Sequence, residues 1–534
     1  MTKAQRFEGW KSLPAWLRYG VIVAIILGVF FRFYHLDQKV YWIDETNTSL
    51  RSLGYTRTEF VETVFTGEVV TAETLQQFQQ PSPDRGWDDT MNALMGTAEH
   101  TPLYFMLSRL WVDWVGHSVI TMRLLAVLFS LMSLPCLFWL CRELFESPAV
   151  AWIAVALMSL SPLHVLYAQK ARPYSLFSLL FLLSSILLLR TLKTQQRIGW
   201  VLYGITITAG LYTQLLFSLV VVAQGFYVAW SEQVIAKRQL SRQALNYLIA
   251  AGTAFLLLTP WLVLLFNSLE EVRTSTVGLV QEISTSRLID VWFLNASRIF
   301  VDRELGSANA IFVVLSVVAV FFLWRNAPKR TWVFIILIIA TMFLSLAIPD
   351  LLLGGRRSTR IRYLFPAVIG IQMAVAFVFA TQAVRVRSWK QQIWRVVMVA
   401  VVAVNLFANV AIAQSFVPWS KSPHRSSYFI PVSEIINQAE NPLIISDGPI
   451  TDTLAFATWL NSDVAFQLAL DPNELTVAEG FEPIYLLTPT EELREQVEAQ
   501  GYTLSELYKS PDLRNDPYPL WEVRSQESGV RGEG

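Results

Sequence analysis

Apolar residues run in long blocks through most of the first four hundred positions, and each block is closer in length to a bilayer crossing than to a soluble core helix. About 20 apolar residues are needed for a helix to span the hydrocarbon layer, and eleven blocks read as candidate spans. They are Leu17 to His35, Met122 to Leu140, Val150 to Tyr167, Tyr174 to Leu192, a pair within Ile198 to Trp230, and Tyr247 to Phe266. Ile311 to Trp324, Trp332 to Ile348, Tyr363 to Val384 and Val396 to Ile412 complete the set. Three stretches break this pattern: a loop of roughly eighty residues after the first span, Asn267 to Asn309, and the tail of about 120 residues. In the first loop "TRTEFVETVFTG" and "AETLQQFQQ" have amphipathic helical spacing. "PLYFMLSRLWVDWVG" and, further on, "IDVWFLNASRIF" have the aromatic faces of helices lying in the membrane interface. The tail alternates helix-like and strand-like segments, from "SYFIPVSEIINQA" and "PLIISDG" to "TEELREQVEAQG" and "LWEVR", the pattern of a small α/β domain.

Composition agrees. A chain that is 53% hydrophobic and 16% charged has more apolar surface than one soluble core can bury. The expected architecture is an α-helical polytopic membrane protein of about 11 transmembrane helices with a C-terminal extracytoplasmic α/β domain. Residues 1–413 form the membrane part, with 36–121 as its first outer loop, and residues 414–534 form the soluble domain.

Net charge is zero, but its distribution is informative. Lys3, Arg6, Lys11 and Arg18 precede the first span, and alternate loops then carry Arg142, Arg190 with Lys193 and Arg197, Lys237 with Arg238 and Arg242, Arg325 with Lys329 and Arg330, and Arg385 to Arg395. Short basic loops stay cytoplasmic, so the N-terminus is expected inside, in a plasma (inner) membrane, and the tail outside. Nothing in this balance points to nucleic acid. The first span lacks a small-residue cleavage site and reads as an uncleaved anchor. Cys136 and Cys141 read as packing residues in the second span, and the terminal "SQESGVRGEG" as a frayed end.

Candidate chemistry sits on the expected outer ends. Asp44 and Glu45, in "VYWIDETN", offer carboxylates just past the first span. They could serve as a general base or as ligands for a divalent cation, although an isolated pair is more often a solvated loop or helix cap. His100, in "EHTPLY", could bind phosphate or metal, or simply begin a helix. Lys170 and Arg172 lie in "YAQKARPYSL" between the third and fourth spans, where an arginine can snorkel or clamp a phosphate. Arg356, Arg357, Arg360 and Arg362, followed by Tyr363, crowd an outer loop where the inside-positive tendency disfavours them. A lipid-linked phosphate or anionic headgroups would account for the exception.

Taken together, "WIDE", "HTPLYFMLSRLW", "SPLHVLYAQKARPYSL" and "RIRYLFP" resemble the membrane-embedded GT-C glycosyltransferases, specifically glycosyltransferase family 39 with its protein O-mannosyltransferases and lipid A aminoarabinose transferases. The resemblance covers most of the membrane half. It implies inverting transfer of a sugar from a polyprenyl-phosphate donor to a lipid, glycan or protein acceptor on the extracytoplasmic face. The family's essential acid falls on Asp44 with Glu45 as support, its "HPPL"-like element on His100 to Leu103, and its donor-phosphate tyrosine on Tyr363. Lys170 stands where the family usually has an acid, which weighs against a carboxylate-bound metal and leaves metal dependence open. A transporter or flippase of lipid-linked sugars would show repeats and mid-membrane charges. A non-catalytic scaffold would leave the outer acids and arginines without a joint purpose.

Overall fold

The structure is a computed structural model that describes residues 13–384, 388–417, 425–511 and 517–525. Lys3, Arg6, Lys11, Arg385, Arg387 and residues 526–534 of the terminal segment lie outside the described residues. The chain forms two compact units. One comprises residues 1–36, 97–104 and 123–414, the other residues 37–96, 105–122 and 415–534.

The first unit is helical. Among the described residues eight helices are long and apolar enough to cross a membrane, or nine if the bent pair Pro148–Leu160 and Pro162–Ala168 makes one span. Two shorter helices, Arg197–Thr213 and Phe217–Ser231, occupy the expected pair within Ile198 to Trp230. Large apolar side chains such as Ile26, Leu256, Val317 and Phe321 point outward, as lipid-facing surfaces do. At the centre is the helix Phe365–Gln382, packed on Pro148–Leu160, Asn309–Asn326 and Lys329–Leu353.

The third expected span is broken, with a 58° bend at Ser161. Pro162 has no N–H and cannot continue the ladder, so carbonyls at the end of the preceding helix lose their helical partners. In a bilayer those carbonyls need other donors. Arg32, on the helix Ala15–Phe33, donates to Met158 O at 3.2 Å and Ser159 O at 2.7 Å, and Asn409 Nδ2 donates to Leu160 O at 2.7 Å. Arg32 also donates to Gly28 O at 2.7 Å and Ser130 Oγ at 3.0 Å. Helix Ala15–Phe33 comes so near the break that a Cβ on Gly28 would stand 2.4 Å from Ser159 O.

The second unit is built on a six-stranded mixed sheet. Its strands are β1 (Thr66–Thr71), β2 (Leu443–Ser446), β3 (Ala465–Ala469), β4 (Ile484–Leu487), β5 (Tyr502–Tyr508) and β6 (Leu520–Ser525). Their order is β1-β3-β2-β4-β6-β5. Strand β2 runs parallel to both β3 and β4, and these three central strands are buried on both faces, as parallel strands require. Helix Glu491–Ala499 covers the sheet through Leu493 and Val497, which pack with Leu443, Ile445 and Leu486.

Strand β1 is the departure from the sequence reading. The amphipathic helix expected through Gly67 stops at Val64. Gly67 takes φ +79, and "TGEVVT" pairs antiparallel with β3, Val70 opposite Phe466 and Thr71 opposite Ala465. Much of the first outer loop thus folds with the tail rather than with the membrane helices. Gln467 on β3 fastens the junction, donating to Gly67 O at 2.9 Å and Thr476 O at 2.7 Å.

Candidate functional site

The arginine-rich loop separates into residues that build it and residues that face aromatic rings. Asp350, on helix Lys329–Leu353, is the buried anchor. Its carboxylate accepts from Arg357 Nη1 at 3.1 Å, from Ser358 N at 2.7 Å and from Ser358 Oγ at 2.6 Å. Gly354 and Gly355 have φ +75 and +123, conformations that glycine adopts without strain, so the chain can fold back from the helix end onto Asp350. Arg356 hydrogen-bonds through N to Leu279 O at 2.9 Å and through Nε to Gly278 O. Helix Thr285–Arg298 closes the other side, with Trp292 Nε1 donating to Ser358 Oγ at 2.9 Å and Asn295 Nδ2 to Thr359 O at 2.8 Å.

Arg362 is held differently. Its guanidinium lies 5.8 Å from the centroid of the Tyr174 ring and 5.5 Å from that of Tyr363. Arg172 approaches the same Tyr174 ring at 6.0 Å. Behind Tyr174 the rings of Tyr167 and Phe365 complete an aromatic wall, with centroids 5.3 Å apart for Tyr167 and Tyr174 and 5.1 Å for Tyr167 and Phe365. The loop carrying Arg172 is fixed at its start by Gln169, whose amide donates to Phe31 O at 2.8 Å and Tyr34 O at 2.9 Å. Lys170 is buried within it. Arg298 is a further half-buried cation, hydrogen-bonded to Asn295 Oδ1 at 2.9 Å. Burial pushes its guanidinium below the usual arginine range, opposed chiefly by the carboxylate of Asp302. His100 faces Glu99, Nδ1 to Oε1 3.5 Å, a contact that is ionic only when the imidazole is protonated.

The two acids of the first outer loop belong to the second unit and occupy the first turn of helix Ile43–Ser52. Glu45 is buried, and its Oε2 accepts from Trp42 N at 3.2 Å, the carboxylate half of a helix cap. Asp44 is half-buried and projects from the same turn. Helix Ile43–Ser52 packs against the tail helix Ile450–Ala457, so the tail underpins the element that carries Asp44. Among the described residues no three His, Cys, Asp or Glu side chains gather to hold a metal ion.

Of the residues singled out in the sequence, Arg172, Arg362 and Tyr363 converge on one aromatic wall. Arg356 and Arg357 instead hold the loop in shape, and Glu45 caps a helix. Sequence reading missed Asp350, Arg298 and the wall of Tyr167, Tyr174 and Phe365. Asp350 carried a readable signal, since a carboxylate at the end of an apolar span needs a partner and four arginines follow it within twelve residues.

Residues 99–264 match the family model described as dolichyl-phosphate-mannose-protein mannosyltransferase. No curated protein sequence matches the chain. Among solved structures, the chain is similar to ArnT from Cupriavidus metallidurans bound to undecaprenyl phosphate, at 12% identity over 94% of this chain and 97% of that one, with a TM-score of 0.49. The apo oligosaccharyltransferase of Archaeoglobus fulgidus is similar at 12% identity over 92% and 69%, TM-score 0.46. The matched segment runs from the Glu99-His100 element through the broken span and the Lys170-Arg172 loop, and all of it but residues 105–122 belongs to the first, helical unit. The similarity to this mannosyltransferase family thus covers 166 of the 534 residues.

Proposed function

We propose that the protein moves a sugar from a polyprenyl-phosphate donor to an acceptor on the extracytoplasmic face, with inversion at the anomeric carbon. The observation that carries this reading is the convergence of Arg172 and Arg362 on the Tyr174 ring. Two guanidinium groups against one wall form a receptor for an anion, and arginine suits phosphate because its fork of N–H groups matches the oxygens. The matched family is named for transfer from a dolichyl phosphate sugar, which fits such a receptor.

In the proposed step the acceptor oxygen or nitrogen forms a bond to the anomeric carbon as the bond from that carbon to the phosphate oxygen breaks. The phosphate leaves with the electron pair, and the cations stabilise the charge gathering on it. The acceptor's proton passes to Asp44, whose role as base rests on the sequence resemblance, while Glu45 supports Asp44 by capping its helix.

Purified protein in detergent, supplied with radiolabelled polyprenyl-phosphate sugars and membrane extract, tests the reading. Asp44→Asn should lower turnover by roughly 100-fold or more with donor binding kept, and R172Q/R362Q should weaken donor binding. Equal turnover by wild type and Asp44→Asn would remove Asp44 as the base. A wild type that binds donor and never transfers it would point instead to a transporter or a scaffold.

A further inference from the structure

Away from the outer arginine loop, helices Arg197–Thr213 and Arg242–Asn267 enclose a groove of about 810 Å³. Helix Arg197–Thr213 lines it with residues 197, 200, 201, 204, 205, 208, 209 and 212, and helix Arg242–Asn267 with 242, 246, 249, 250, 253 and 257. Both sets follow the spacing of a single helix face. The two helices run in parallel, since Gly204 lies against Ala250 midway and Tyr212 donates to Leu257 O at 2.8 Å at the far end. From Arg197 to Tyr212, fifteen residues on, the groove is about 22 Å long, most of the roughly 30 Å hydrocarbon layer.

The groove is apolar along its length and cationic at one end. Val201, Ile205, Ile249 and Leu257 form exposed walls. Gly204 leaves the floor low, with its nearest neighbour, Ala250 Cβ, 3.8 Å from where a side chain would begin. Arg197 and Arg242 stand exposed at the mouth, and among the described residues neither guanidinium has a hydrogen-bond or ion-pair partner. Asn246, one turn deeper, is also without one. Two free cations, then an amide, then hydrocarbon walls reproduce in order what a glycerophospholipid presents: phosphate, ester carbonyls, acyl chain.

We infer that this groove binds an anionic phospholipid, its phosphate between Arg197 and Arg242 and one acyl chain along the Gly204 floor. Basic pockets between spanning helices bind such headgroups, and this mouth opens on the side of the basic loops. The polyprenyl donor is not the occupant. Arg172 and Arg197 flank opposite ends of helix Tyr174–Thr194, 21 residues long, so a donor phosphate at Arg172 is about 30 Å from this mouth. The inference is therefore independent of the transferase reading.

Native mass spectrometry of the purified full-length protein, titrated separately with dioleoyl phosphatidylglycerol, dioleoyl phosphatidylcholine and undecaprenyl phosphate, tests it. Phosphatidylglycerol should bind one tight site in preference to phosphatidylcholine. R197Q/R242Q should weaken that site about tenfold or more and leave phosphatidylcholine and undecaprenyl phosphate unchanged. Gly204→Leu, which raises the floor without touching the cations, should weaken it as well. Equal retention of the two phospholipids, or phosphatidylglycerol binding unmoved in both variants, would overturn the site. Loss of undecaprenyl phosphate binding in R197Q/R242Q would overturn it too, by assigning the groove to the donor.

Discussion

The Nη1 of Arg32 donates to the main-chain carbonyl of Ser159 at 2.7 Å, joining the first helix to the break in the third expected span. Arg32 is fully buried, and its partners Ser130 Oγ, Gly28 O, Ser159 O and Met158 O are all uncharged oxygens. Its work is to satisfy the carbonyls that Pro162 leaves free, which permits the chain to turn and present the Lys170-Arg172 loop. Replacement by Leu should destabilise the protein by about 2–5 kcal/mol, since each abandoned carbonyl costs about 1–3 kcal/mol. Lys, with fewer donors and no fork, should recover part of this. Thermal unfolding in detergent reads the order wild type, Arg32→Lys, Arg32→Leu, and equal melting of all three would show that water or lipid serves the break equally well.

Asp350 holds the arginine loop through Arg357 and both polar groups of Ser358. Asp350→Asn removes the charge and turns one acceptor into a donor, at a cost of about 1.5–3 kcal/mol for a bond to a charged group. The loop should lose its register, and with it the placing of Arg362. Donor KM is expected to rise roughly tenfold, more than kcat falls. An unchanged KM with a lower melting point would confine Asp350 to stability.

Gln467 ties β1 to the tail sheet from β3, and its Oε1 accepts from Ala478 N at 3.1 Å. Gln467→Ala should weaken the second unit by about 1–3 kcal/mol and loosen β1 before the rest of the sheet. Hydrogen exchange should quicken first at 66–71, and uniform quickening across all six strands would show that β1 is not held by this side chain.

The partly buried imidazole of His117 contacts Gln80 Oε1 at 3.3 Å, and burial pushes it down to about 4. An unfolded chain titrates at about 6.5, so between these values it binds more protons than the folded unit. Stability is therefore complete above about pH 6.5 and is lost as pH falls toward 4. His117→Gln should lessen the drop in melting temperature between pH 7 and pH 5, and parallel curves for the two proteins would locate the acid sensitivity elsewhere.

Much of the helical fold was legible because a bilayer imposes a local rule. A crossing segment must satisfy its own backbone and expose apolar side chains, so runs such as Tyr174–Thr194 and Lys329–Leu353 announce themselves without reference to neighbours. The tail was legible for a related reason, since the buried central strands β2, β3 and β4 are short apolar runs between turn residues. Strand β1 was not. "TGEVVT" is mostly exposed and has no apolar run to signal itself, and it becomes a strand because β3, about four hundred residues away, offers an edge.

The site divides along the same line. Residue types and their clustering at the ends of spans are properties of the sequence, and they sufficed to single out Asp44, Arg172 and the arginines from 356 to 362. Which arginine builds and which is presented is a matter of packing. Arg357 is taken by a buried Asp350 seven residues before it, Arg356 by the carbonyl of Gly278, and Arg362 is set against the ring of Tyr174 at the start of helix Tyr174–Thr194. Glu45 likewise became a helix cap once a helix began at Ile43. Hydrophobic periodicity is written residue by residue and survives being read in one dimension. Partner choice among several identical cations depends on which distant group arrives within 3 Å, and only the folded chain decides that.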